Sequence, residues 1–141
     1  MNHVAAPPLW QQLQVAAGVV EAIRAGVSGT AALARVDTAL RPGVQALVFR
    51  ALRALALAEH LRRQLAPRKP PPAVDALLCL ALALAGPDED QAYPAHTLVS
   101  QCVEAAKRSP AMRAQSSFVN ACLRRFLRER EALVAAAARD V

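Results

Sequence analysis

The side chains of this chain that could do chemistry are three cysteines, three histidines and a short acidic run, and their spacing forms no catalytic set. Cys79, Cys102 and Cys122 show no C-x-x-C spacing, and each falls inside an apolar helical pattern. They read as buried, reduced thiols, which suggests a cytoplasmic protein. A zinc site needs four converging ligands, and His3, His60 and His96 lie far from the cysteines in sequence. The five glycines, at positions 18, 26, 29, 43 and 86, never approach the spacing of a phosphate-binding loop. Asp88-Glu89-Asp90 reads as a solvated loop rather than an acid and base pair. His96, in Y-P-A-H-T, reads as structural. No catalytic residue, no metal ligand and no cofactor-binding residue is expected.

Cationic chemistry is better represented. In Ser117 to Arg130, read S-F-V-N-A-C-L-R-R-F-L-R-E-R, the residues Phe118, Val119, Cys122, Leu123, Phe126 and Leu127 recur at helical spacing on one face. Arg124, Arg125, Arg128 and Arg130 occupy the remaining positions, and arginine is the cation best shaped for bidentate phosphate contact. Spacing alone leaves two readings open, a phosphate-facing row or a solvated face partly neutralised by Glu129 and Glu131.

The elements that must carry these residues are all helical. With 141 residues the chain has the size of one domain. Its composition, 55% apolar, 4% aromatic and rich in alanine, favours close-packed helices over strands. The fold class expected is all-α, a bundle of about seven helices. Lys and Arg number 17 against 11 Asp and Glu, an excess that favours a polyanionic partner. The N-terminus has no basic stretch followed by an apolar one, and so reads as no signal peptide. The most apolar run, Ala73 to Ala85, is short of the roughly 20 residues a membrane span needs.

In chain order, residues 1–8 are a proline-bearing lead-in. Leu9 to Ala25 forms a first amphipathic helix, closed by Gly26. Ala31 to Ala39 is a short helix capped by Thr30. Val44 to Leu57 is a third helix, anchored by Leu47, Val48, Ala51, Leu52 and Leu55, and Ala58 to Leu65 continues it after a bend, with Arg62 and Arg63 outward. Pro67 to Pro72 is a basic connecting loop. Ala73 to Ala85 is apolar around nearly its whole circumference, and must be the enclosed central helix. Gly86 to Tyr93 is an exposed acidic loop. Pro94 opens the helix Ala95 to Arg108, which turns Leu98, Val99, Cys102, Val103 and Ala106 inward. The core domain covers residues 9–131, and residues 132–141 form a tail or linker.

Two segments go beyond periodicity. Tyr93 to Lys107, Y-P-A-H-T-L-V-S-Q-C-V-E-A-A-K, and Ser117 to Phe126, S-F-V-N-A-C-L-R-R-F, together resemble the NusB family of all-helical RNA-binding domains. The matching positions are Pro94, His96, Val103, Glu104, Ala106 and Lys107, then Phe118, Val119, Asn120, Ala121, Leu123, Arg124 and Arg125. Leu47 to Leu55 and Val19 to Gly26 are similar to the family's third and first helices. The chain departs from the family pattern at Arg50, where glycine is usual, at Arg41-Pro42-Gly43, and in lacking an arginine-rich opening.

The resemblance implies RNA binding. Within the family the detail is most similar to the N-terminal domain of bacterial 16S ribosomal RNA cytosine-C5 methyltransferases. That similarity implies that the domain helps to position ribosomal RNA for a methyltransferase domain beyond Val141, where S-adenosylmethionine would bind. The alternative is a free-standing antitermination factor that binds RNA and a ribosomal protein. In either case the candidate phosphate contacts are Arg124, Arg125 and Arg128, with Arg62, Arg63, Arg68, Lys69, Lys107, Arg108 and Arg113 as neighbours. Weak, shape-directed binding is expected, because phosphate contacts position RNA without reading its sequence.

Overall fold

The fold is built around one helix that has no solvent face. A computed structural model describes residues 6–86 and 93–139. Its helices, in order, are α1 (Leu9–Arg24), α2 (Gly29–Ala34), α3 (Arg41–Arg53), α4 (Leu55–Leu65), α5 (Pro72–Ala85), α6 (Ala95–Lys107) and α7 (Ser116–Arg139), with a 3-10 turn, Arg113–Gln115, leading into the last. No strand occurs among the described residues. Every side chain of α5 from Val74 to Ala85 is buried, and the helix packs against α1, α3, α4, α6 and α7. Each enclosed leucine on it contributes roughly 1.5–3 kcal/mol through removal of apolar surface from water.

Local sequence sets the helix ends. Gly26, at φ 104°, closes α1 with two bonds, Gly26 N–H to Ile23 O at 3.0 Å and Val27 N–H to Ala22 O at 3.0 Å. These satisfy carbonyls that the last turn leaves without partners. Ser28 rather than Thr30 caps α2, its Oγ accepting from Ala31 N–H at 3.1 Å, so that helix runs earlier and shorter than its alanines suggest. Helix α3 likewise begins at Arg41, because Pro42 fits the first turn of a helix and does not bar entry to it. Its break falls at Ala54 (φ −120°, ψ 16°), and α4 starts immediately afterwards. Leu52, expected as a core anchor, stands at the edge of the stripe that buries Val44, Leu47, Val48 and Ala51, and is 38% exposed.

Helix α6 ends at Lys107, with Arg108 as its cap, and Pro94 stands just before it as the N-terminal cap. Helix α7 extends well into the expected tail. It bends at Glu129 (φ −117°, ψ 22°) and continues to Arg139, burying Leu133 and Ala137. The acidic run Asp88-Glu89-Asp90 lies outside the described residues, as does His3.

One buried charge cluster ties three helices together. Asp75, on α5, is 1% exposed and sits between Arg24 of α1 (Nη1 to Oδ2, 3.2 Å) and Arg62 of α4 (Nε to Oδ1, 2.8 Å). Arg62 also donates from Nη1 to the Ala66 carbonyl at 3.0 Å, and Arg24 reaches Glu59 at 3.5 Å. Arg62, expected outward, is therefore an interior residue, 7% exposed. A carboxylate enclosed in an apolar helix requires a counter-charge, and Arg62 is the cation facing it across the α4 and α5 contact.

Candidate nucleic-acid interface

Helix α6 presents Ser100, Val103, Glu104 and Lys107 at spacings of three, one and three residues, which sets them on one face. Helix α7 answers with Ser116, Ser117, Asn120 and Arg124, also along one face. The two helices pack against each other, and these faces line an open groove of about 350 Å³. Helix α6 is held in place against α1 by Trp10 N–H donating to Gln101 Oε1 at 3.0 Å and by Gln14 Nε2 donating to the Ala105 carbonyl at 3.1 Å. Val119, Cys122, Leu123 and Phe126 bury the other side of α7 and so fix which way Asn120 and Arg124 point.

The cations differ in what already holds them. Arg124 donates from Nε to Asn120 Oδ1 at 2.9 Å, a neutral partner one turn earlier that orients the guanidinium without cancelling its charge. Lys107 makes no ion pair among the described residues. Glu104, the acidic member of the groove, is engaged by Arg108 (Nε to Oε1, 2.6 Å), and the Arg108 guanidinium also stands 4.5 Å from the centre of the Trp10 ring. Arg125 is half-buried and paired with Glu129 at 3.0 Å.

The groove thus brings together two of the expected phosphate contacts, Lys107 and Arg124. Arg128 is exposed but lines a separate depression with Arg130, Glu129 and Glu131. Arg130 turns back over the Phe126 ring at 5.3 Å instead of facing outward. Arg113 is exposed in the turn before α7, Arg63 and Arg68 are exposed at the end of α4 and beyond it, and Lys69 lines a cleft with Arg24 and Asp75. None of these four lines the groove. Sequence reasoning missed the hydroxyls of Ser100, Ser116 and Ser117, which are short polar residues without a motif of their own. It also missed Asp75, whose signal was visible as the single carboxylate in an apolar helix.

Burial raises all three thiols and so disfavours their thiolate forms. Burial pushes Cys102 up to about 12. Burial and the neighbouring Asp75 carboxylate push Cys79 up to about 11, against the opposing influence of Arg24 and Arg62. Cys122 is also raised by burial, and Arg125 opposes the shift. No group of three or more His, Cys, Asp or Glu residues that could hold a metal occurs among the described residues, and no helix there is long and apolar enough to cross a membrane.

These features define an all-α bundle domain with a polar, cation-bearing groove between its sixth and seventh helices. The chain belongs to the NusB family, whose model matches residues 14–128, from within α1 to the bend of α7. Membership of that family implies RNA binding. No curated protein matches the sequence.

Proposed function

We propose that this domain binds ribosomal RNA through the α6 and α7 groove, and that it positions 16S RNA for a cytosine-C5 methyltransferase domain of the RsmB type, also called Sun or Fmu. The observation that carries the RNA reading is the meeting of the two family segments at the groove. There Lys107 carries an uncompensated charge, and Arg124 is oriented by the neutral Asn120. Two such cations beside serine hydroxyls suit phosphate oxygens, which take charge-assisted bonds from Lys and Arg and neutral ones from Ser. The Pro94-Ala95-His96 opening of α6 resembles the Pro-x-His ahead of the sixth helix in the N-terminal domain of those methyltransferases, and this supports the finer reading. In that setting S-adenosylmethionine and the catalytic cysteine belong to the other domain, and this one contributes binding and orientation.

Affinity for a 16S RNA fragment, measured by fluorescence anisotropy across a salt series, tests the RNA reading. Replacing Lys107 and Arg124 with Gln lowers affinity and flattens the log-log salt slope by roughly 0.7–0.9 for each phosphate that is no longer neutralised. Unchanged affinity and slope in a folded double variant would defeat the groove as the site. Methyl transfer from S-adenosylmethionine to undermodified 16S RNA tests the finer reading. A polypeptide carrying the downstream methyltransferase domain transfers the methyl group, whereas residues 1–141 alone do not. A stop codon directly after Val141 instead favours the antitermination factor.

A further inference from the structure

Two of the five aromatic side chains meet at the surface, away from the groove. Phe126 is fully buried, Phe118 packs against the core, and Trp10 lies beside the Arg108 guanidinium. Phe49, on α3, is 48% exposed although its neighbours Leu47 and Val48 are core residues. With Tyr93, just ahead of α6, it lines a cleft of about 350 Å³ that also includes Arg53. Phe49 lines a second cleft too, of about 460 Å³, shared with Arg41 and Pro42. No Asp or Glu among the described residues lines either cleft. Arg41 is held rigidly, its Nη2 donating to the carbonyls of Ala34 at 3.2 Å and Val36 at 2.9 Å. Those two bonds are to neutral groups, so its charge is oriented but not cancelled.

An exposed aromatic ring beside Arg41 and Arg53, with no carboxylate among the described residues of the lining, suits a ligand that is flat and apolar in one part and anionic in the next. A single-stranded nucleic acid has that alternation in every nucleotide, and base stacking on aromatic side chains beside a positive surface is a general way of holding one. A protein partner would have to supply an apolar face ringed with acidic residues. The net charge of +6 favours the polyanion. We infer that the Phe49 face of α3 is a stacking platform for an unpaired RNA base, with Tyr93 beside it and Arg41 and Arg53 placed for the flanking phosphates. The inference rests on the RNA reading above and adds to it a contact with a base where phosphate contacts alone were expected.

The test uses a short single-stranded RNA carrying one 2-aminopurine, whose emission falls when it stacks. The chain should quench that emission on binding. Phe49→Ala should remove most of the quench and weaken binding by roughly 5- to 150-fold, the equivalent of one stacked base. Phe49→Tyr should preserve both, and the salt slope should be unaltered in either variant, because every phosphate keeps its cation. Phe49 is exposed, so circular dichroism should show both variants folded. A Phe49→Ala protein that keeps the quench and the affinity overturns the platform, while weaker binding on replacing Lys107 and Arg124 leaves the groove standing. A wild-type chain that binds no RNA overturns both. If Phe49→Ala leaves RNA binding intact but abolishes self-association in sedimentation, the face is a protein contact and the platform falls.

Discussion

Asn120 Oδ1 holds the Nε of Arg124 at 2.9 Å, one helical turn apart on the same groove wall. A carboxylate at position 120 would neutralise the cation, whereas the amide only aims it. Asn120→Ala should therefore weaken RNA binding about 3- to 10-fold, the equivalent of one hydrogen bond of about 1 kcal/mol, without altering the salt slope. Titration at two or more salt concentrations checks both parts, and a changed slope would show that Asn120 does more than orient Arg124.

Cations that are already paired should matter less than unpaired ones. Arg125 is bound to Glu129, and Arg108 is bound to Glu104 and stacked beside Trp10. Arg125→Gln should reduce affinity less than Lys107→Gln does, because its guanidinium is turned to Glu129, outside the groove, whereas Arg108→Gln should fall between the two, because it frees the Glu104 carboxylate within the groove. Equal reductions across the three variants would indicate a diffuse electrostatic attraction instead of a groove.

Asp75 is a stability residue. Asp75→Ala leaves the Arg62 guanidinium enclosed without its counter-charge and should destabilise the domain by about 3–5 kcal/mol. Adding Arg62→Met should recover part of that stability, since an apolar side chain of similar length needs no partner. Urea unfolding of the single and double variants measures the difference.

Alkaline pH should weaken the fold through the buried thiols. Cys79 is raised to about 11 and Cys102 to about 12 from an ordinary 9.0, so the folded state keeps protons that the unfolded chain gives up. Their contribution is fully present below about pH 9 and is lost as pH rises through 11 to 12. Thermal melts from pH 8 to 11 should show melting temperatures falling above pH 9. Cys102→Ala should lessen that fall.

The core was more legible than the surface. The run from Val74 to Ala85 has one environment consistent with its composition, and its burial on all sides follows. The family segments likewise marked α6 and α7 before any packing was known. Side-chain direction at helix ends was less legible. Arg62 lies one residue from Leu61 and Arg63, and periodicity alone could not say that Asp75 of another helix would draw it inward. Leu52 went the other way, because it stands at the edge of the stripe formed by Val44, Leu47, Val48 and Ala51, where periodicity does not decide exposure. Of the ten candidate cations, sequence placed Lys107 and Arg124 on separate helices, and only the packing of those helices made them members of one groove.

Because α5 packs against five of the other six helices, no part of the bundle can swing open far without wetting it. The backbone amide protons of its central turns, around Leu77 to Ala81, should accordingly exchange with solvent deuterium only when the whole molecule unfolds. Their exchange rates then report the global opening free energy. Helix α2, six residues long with Ala32 and Leu33 buried, should exchange through local fraying at far smaller cost.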